Sequence, residues 1–447
     1  MKRKSVFCLL LLAVLLCSQT AALAQSVDPD STFIPLYMQV LENGLRVIVK
    51  EIPSYPVATV NMWVDAGSKD DPEGMSGMAH FFEHLLFMGT PTRQAGQIFR
   101  EVEALGGYAN AGTSLDYATY YIVVPSEHVQ LAMEIQADAI RNSVFDQEEI
   151  DRERMVIHEE IRLGKDIIND HLTDVALEKL FAGTIYARPI AGTMEELANI
   201  NREEMLDFHA RRYVPNNMVL VVTGNVVADE IFALAQELYG DMPAKALPAR
   251  EYSPLPVLDS VVYWEQERPI QQSYVILAFP APASNTRDGA ALNMASVILA
   301  NGRSSRLYRQ LIEVERVVNY VTSFYWGFSD MGMFAIYAEM DPANRDRFVE
   351  IVRAELQRMQ DEPVSDDDLR RARSMARSSV AFATESGADV AMFLGEAELY
   401  GNVLDAVNLS KTLEQTTAAD IQRAAQLYLN PDAYVHCEIK PEGGNAQ

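Results

Sequence analysis

Cysteine is nearly absent from this chain, with three in 447 residues, at Cys8, Cys17 and Cys437. The first two fall in an N-terminal leader, so the processed chain is expected to keep one thiol. That excludes an internal disulfide and any zinc site built from cysteines. Positive charge is scarce too. Thirty-seven Lys and Arg stand against 63 Asp and Glu, a net charge of −26. Such an excess excludes nucleic-acid binding through phosphates and points to solubility, or to an acidic chamber that attracts basic peptides. Long hydrophobic runs are missing after the leader. No later stretch approaches the roughly 20 apolar residues that span a bilayer, so no transmembrane segment is expected. Histidine occurs only seven times.

A core is not lacking. Hydrophobic residues make up 49% and charged residues 22%, ordinary for a globular protein, and the length accommodates two sizeable domains. Lys2, Arg3 and Lys4 precede an apolar run from Val6 to Leu16, and Ala22-Leu23-Ala24 offers a cleavage site before Gln25. Residues 1–24 therefore read as a secretory signal peptide; bulky Leu16 before Cys17 speaks against a lipoprotein. Cleavage removes three positive charges and no negative ones, taking the net charge from −26 to −29. The expected location is exported, and periplasmic in a Gram-negative source.

Along the remainder, Asn43-Gly44 marks a hairpin, and Ala58, Val60, Met62 and Val64 alternate as in a strand. Ser76 is the expected cap of a helix running to about Met88, stopped by Gly89-Thr90-Pro91. Residues 108–124 read as two extended segments. Asp146-x-x-Glu149 resembles a capping box opening a long helix to about Leu163. Residues 241–260 carry Met-Pro, Leu-Pro and Pro-Leu-Pro, a linker composition. Thr193…Tyr213-Val-Pro-Asn before a strand is echoed by Thr412…Tyr428-Leu-Asn-Pro before Tyr434–Ile439, which suggests an internal duplication. The expected fold class is α+β: two homologous domains, each a largely antiparallel sheet covered by helices, forming a clam-like half. The expected boundaries are 25–245, a linker 246–260, and 261–447.

Residues 80–84 read His-Phe-Phe-Glu-His. Imidazoles four apart on a helix lie one above the other, close enough to hold one metal ion, and the Glu83 carboxylate shares their face. This is the pattern of a zinc site with a built-in general base, in reverse order to H-E-x-x-H. A catalytic zinc takes a third protein ligand and keeps one position for water. On the 146–163 helix, Ile150, Glu153, Ile157, Glu160 and Ile161 form one stripe, and acids within an apolar stripe are unusual unless paired or coordinated. Glu160 and Glu153 are both candidates.

With these motifs the chain resembles the pitrilysin-type (inverzincin, M16) zinc metallopeptidases. The match runs through Gly77-Met78-Ala79-His80-Phe-Phe-Glu-His84-Leu-Leu-Phe-Met-Gly-Thr90, then Gly106-Gly107-x-x-Asn110-Ala111-x-Thr113-x-x-Asp116, then Glu153-Arg154-x-Val156-Ile157-x-Glu159-Glu160-Ile161. The resemblance places the third ligand at the end of the last motif, where Glu160 stands 76 residues after His84. It implies one Zn²⁺ per chain held by His80, His84 and Glu160, with Glu83 as general base in peptide-bond hydrolysis. Glu153 would orient a ligand or the metal helix, with a plain surface ion pair as the alternative. Residues 108–124 resemble an edge strand that pairs with an extended peptide, with Asn110 and Ala111 facing its backbone; Asn110 is equally a turn-forming side chain. Tyr117, Tyr120 and Tyr121 read as packing residues.

The family's complete enzymes also carry an Arg and a Tyr, seven apart, in a C-terminal half. Aligned on Arg306-Leu-Tyr308, those positions fall on Ile312 and Asn319; Tyr320 is one residue out of register, with Glu313 seven before it. The expected enzyme is therefore a zinc endopeptidase for unfolded peptides that is completed by a homologous partner subunit in a heterodimer. A homodimer or single chain using Tyr320 is the milder alternative. A non-catalytic peptide-binding or assembly subunit is the alternative of a different class.

Overall fold

Short runs of alternating apolar residues form eleven strands among the described residues, arranged in two sheets. The computed structural model describes residues 35–248 and 253–443; the expected signal peptide and part of the expected linker lie outside them. The first sheet contains β1 (Tyr37–Val40), β2 (Arg46–Glu51), β3 (Val57–Val64), β4 (Tyr108–Thr113), β5 (Ala118–Pro125) and β6 (Met218–Gly224), in the order β1-β2-β6-β3-β5-β4. The second contains β7 (Val262–Arg268), β8 (Ser273–Ala281), β9 (Tyr320–Gly327), β10 (Gly332–Met340) and β11 (Val435–Pro441), in the order β7-β11-β8-β10-β9.

Leaving out β1, the two orders correspond strand for strand. Each has one parallel pair, β2 with β6 and β7 with β11, and antiparallel neighbours elsewhere. The sequence echo falls on equivalent strands, β6 and β11. The α+β class with two homologous, largely antiparallel sheets is what the chain adopts. No helix among the described residues is long and apolar enough to cross a membrane.

The helices that matter most are α1 (Met78–Leu85), α2 (Val129–Asn142), α3 (Gln147–Asp166), α4 (Ile168–Leu180), α5 (Arg287–Ala300) and α6 (Gly387–Tyr400). α1 and α2 cover the inner face of the first sheet and seal a core that includes Val60, Met62, Phe81, Phe82, Tyr120 and Ile135. α5 does the same for the second sheet, with Leu277, Phe279, Leu292 and Ile298 among the buried residues.

The outer faces are covered differently from expectation, because each half lends a helix to the other. α4, from the first half, sets Leu172, Ala176 and Leu180 against Ile276, Ala278, Val435 and Cys437 of the second sheet. α6, from the second half, sets Val390, Ala391 and Leu394 against Ile48, Trp63, Val219 and Val221 of the first. The physical reason lies in the strands. All seven residues of β6 are buried, and a sheet apolar on both faces needs a layer on each. Gly395 permits the close approach of α6: a Cβ there would lie 2.1 Å from Trp63 Nε1.

The two halves also meet through their hairpin turns. Asp116, between β4 and β5, accepts hydrogen bonds from Ser329, between β9 and β10, at 2.9 Å from its backbone N–H and 2.6 Å from its hydroxyl. Lys69 Nζ lies 2.5 Å from the same carboxylate and Tyr186 Oη 2.8 Å from it. Burial alone would raise the Asp116 pKa, but the Lys69 ammonium and these donors outweigh it and hold the carboxyl below its usual range.

Candidate metal centre

The metal centre is built on α1, which is capped in an unexpected way. Ser76 does not cap it. Gly77 takes φ +96°, a left-handed conformation, and the helix N-terminus is capped by Asp71, which accepts from Gly77 N–H at 2.7 Å and Ala79 N–H at 2.9 Å. Burial pushes the Asp71 carboxyl up to about 8 despite those two donors. The Ser76 hydroxyl instead reaches the Pro189 carbonyl at 3.5 Å. α1 ends at Leu85, and its apolar face, Met78, Phe81, Phe82 and Leu85, is fully sunk in the first core.

That burial leaves His80, Glu83 and His84 on the opposite face. The two imidazole rings meet edge to face with centroids 4.8 Å apart. α3 lies against α1 and brings the Glu160 Oε2 to 3.3 Å from His84 Nε2 and 3.7 Å from His80 Nε2. One donor atom from each of His80, His84 and Glu160 falls within 4.8 Å of the others. Glu83 Oε2 is 4.0 Å from His80 Nε2. Burial first, and the neighbouring His84 second, push the His80 pKa down to about 4, against the pull of Glu160. A neutral imidazole with a free lone pair is the form that binds a metal. Two imidazole nitrogens and a carboxylate oxygen converging on one point fit a zinc ion, and among the described residues no fourth ligand joins the cluster to close the site.

The two acids of the α3 stripe differ in burial. Asp146 caps α3 through Glu148 N–H at 2.9 Å without the reciprocal half of a capping box, and the helix continues to Asp166. Glu153, with a side chain 10% exposed, is the buried acid, and its Oε2 lies 3.0 Å from His84 Nδ1. Glu160, at 44%, sits at the rim rather than inside the stripe, and Glu159 pairs with Arg162 farther round. The contact of Glu153 is thus with a histidine of the cluster, not with a surface cation.

β4 is the outer strand of its sheet, with its free edge beside α1. Ala111 packs on the core side, towards α1, and Thr113 Oγ1 lies 3.5 Å from the Ala79 carbonyl. Asn110 falls on the other face of the strand. Its side chain accepts from Ala111 N–H at 2.9 Å and donates to Tyr121 Oη at 3.4 Å. Of the three tyrosines, Tyr120 is buried with its hydroxyl 2.6 Å from that of Tyr213, Tyr117 binds Glu396, and Tyr121 packs edge to face with Tyr108.

In the second half, Ile312 is half-buried in a π-helical turn, Asn319 donates to Gln272 at 3.1 Å, and Tyr320 is 49% exposed at the start of β9. Arg306 is bound to Glu355 and Asp368. Cys437 is buried beneath α4, and burial pushes its thiol up to about 12. Asp71 and the Lys69–Asp116 pair escaped sequence reasoning. Asp71 left one local trace, an Asp-Pro in the loop before the helix, and Asp116 stood in the quoted motif without its partner Lys69.

Residues 46–194 match the model of insulinase (peptidase family M16), and residues 199–376 match that of the peptidase M16 inactive domain. An uncharacterized zinc protease of Mycobacterium leprae is 30% identical over 400 residues, covering 87% of this chain and 88% of that protein. The uncharacterized zinc protease YmxG of Bacillus subtilis is 25% identical over 406 residues, covering 90% and 97%. Among solved structures, a protease from Helicobacter pylori superposes with a TM-score of 0.83 at 24% identity, covering 91% of this chain and 99% of that one. The chain belongs to peptidase family M16.

Proposed function

We propose that this chain is an exported zinc endopeptidase of unfolded peptides, completed by a homologous partner subunit. The observation that carries it is the convergence of His80 Nε2, His84 Nε2 and Glu160 Oε2 beside the Glu83 carboxylate. His80, His84 and Glu160 would hold one Zn²⁺, which would supply Lewis-acid chemistry, polarising a carbonyl and lowering the pKa of a water toward about 7. Glu83 accepts the proton of the attacking water and delivers it to the leaving amine. Glu153 accepts a hydrogen bond from the Nδ1–H of His84, which fixes the tautomer that leaves Nε2 free. The free edge of β4 offers backbone groups to an extended peptide, with Ala111 small enough to let it lie near α1. In this assignment Asn110 stiffens the strand from behind.

The partner is inferred from what the second half lacks. Ile312 and Asn319 occupy the positions where the resemblance calls for Arg and Tyr, and exposed Tyr320 follows Glu313 at the seven-residue spacing. A heterodimer whose other subunit carries the pair completes the site, and a homodimer using Tyr320 is the alternative. The proposed boundaries are a signal peptide 1–24, a metal-binding domain 25–245, a linker 246–260 and a second domain 261–447.

One observation favours a non-catalytic role: the match of residues 199–376 to a model described as an inactive domain. The cluster, however, lies within 46–194, which matches the insulinase model. Zinc content and peptide cleavage by wild type and Glu83→Gln, alone and with a co-purified partner, separate the two. Retained zinc with cleavage lost by about 10²–10⁴-fold in Glu83→Gln is expected. Equal cleavage by both proteins, or no bound zinc, refutes the peptidase.

A further inference from the structure

The helix that supplies Glu160 carries an exposed apolar face. Val156 and Leu163 stand four before and three after Glu160, so they flank it on the same side of α3. They are 41% and 60% exposed, and Ile167, four beyond Leu163, is 53% exposed. Large aliphatic residues at such exposure, in a row beginning at a candidate metal ligand, are not accounted for by packing within the chain. The far end of the row is held firmly. Arg268 Nη1 donates to the Lys165 carbonyl at 2.5 Å, Tyr337 Oη donates to Asn169 Oδ1 at 2.5 Å, and α4 runs on from Ile168 across the second sheet.

We infer that Leu163 and Ile167 form a subsite for an apolar side chain of the peptide, to one side of the bond that is cut. The inference rests on the peptidase reading and names a specificity of the same site. Continuity selects the occupant. The row starts at Glu160, so a chain that reaches the cluster lies beside this face. Leu163 and Ile167 stand about 4.5 and 10.5 Å along the helix from Glu160, at about 1.5 Å per residue. An extended peptide advances about 3.3 Å per residue, so the side chain received here is about one to three residues from the bond at the cluster. The wall is rigid because both halves of the molecule clamp it, so an apolar side chain meets a surface already in place.

The test uses the full chain and two fluorescent unfolded peptides, one with Leu and the other with Gly and Ser one to three residues to either side of the central bond. Anisotropy is measured with the zinc-loaded Glu83→Gln protein, and KM and kcat with active enzyme. The Leu peptide is expected to bind about tenfold more tightly, and Leu163→Asp with Ile167→Asp is expected to abolish that ratio at unchanged zinc content. Leu163→Met with Ile167→Leu is expected to keep it. Should the double Asp protein fail to fold, Leu163→Ser alone gives the reading. Equal binding of the two peptides by the unmutated surface, or an unchanged ratio in the Asp protein, overturns the subsite. So does a change of sedimentation coefficient in the Asp protein at an unchanged ratio, which assigns the face to a contact between subunits. Binding preference without Glu83-dependent cleavage, either alone or with a co-purified partner subunit, leaves the subsite standing and removes the peptidase.

Discussion

Asp116→Asn removes one charge from the junction of the two halves while keeping the shape of the side chain. In the native protein the Lys69 and Asp116 side chains are 3% and 2% exposed, and Nζ lies 2.5 Å from Oδ1. The carboxylate has two further partners in Tyr186 and Ser329, the latter through both its backbone N–H and its hydroxyl. An amide has one acceptor oxygen, and its NH₂ must face a donor, either the ammonium or the Ser329 N–H. Breaking a buried ion pair from one side costs about 3–5 kcal/mol, because the remaining charge stays desolvated. Lys69 keeps the Ser329 hydroxyl at 2.8 Å and the Tyr186 ring at 5.9 Å, which places the expected loss at the lower end, about 3 kcal/mol. Urea unfolding at pH 7, followed by far-UV circular dichroism and tryptophan fluorescence, measures it. The sign of the pH dependence is also determined. Asp116 is held below its unfolded value, so its contribution is present above that value and is lost as pH falls through the lower folded one. The gap between wild type and Asp116→Asn must therefore narrow below about pH 4. A loss under about 1 kcal/mol at pH 7, or a gap that widens in acid, refutes the assignment of a buried, charged pair.

Glu153→Ala is expected to weaken zinc binding by about 10–100-fold, read by chelator competition, because His84 loses the acceptor that orients it. Gly395→Ala is expected to cost about 1–3 kcal/mol and to alter Trp63 fluorescence, since the new methyl collides with the indole nitrogen; a neutral result means that α6 does not sit on Trp63. Tyr120→Phe leaves the buried Tyr213 hydroxyl without its partner and is expected to cost about 1–2 kcal/mol in the same urea assay, with zinc content unchanged.

What the sequence disclosed follows the range of the interactions involved. His80, Glu83 and His84 lie within one helical turn and a third, so spacing alone places them on one face. The period of their own helix left Glu160 and Glu153 both as candidates, and only the resemblance chose Glu160; that period does not say how deep each residue sits, and Glu153 is the acid that is buried. The cap of α1 was illegible because Asp71 arrives from a loop while Gly77 in a left-handed conformation turns Ser76 aside. Strands and their duplication were readable from alternation and from the echo around Tyr213 and Tyr428. The exchange of helices was not. Both sheets present faces of Val, Ile, Leu and Ala, and an amphipathic helix such as α4 carries no local mark of which one it will cover.

That exchange bears on the metal centre. Glu153 and Glu160 belong to α3, and α3 passes at Ile167 directly into α4, whose apolar face is buried on the second sheet. Arg268 and Tyr337, both from the second half, hold the same junction through Lys165 and Asn169. The third candidate ligand is thus fixed from one end by α1 and from the other by the half that contributes no residue to the cluster. A fragment ending at residue 245 would keep every residue of the cluster, yet it would expose Leu172, Ala176 and Leu180 on α4 and Trp63, Val219 and Val221 on the first sheet. Apolar surface of that extent is incompatible with a stable isolated fold. The second half serves the candidate metal site as the anchor of the helix that carries Glu160, whether or not it touches a substrate.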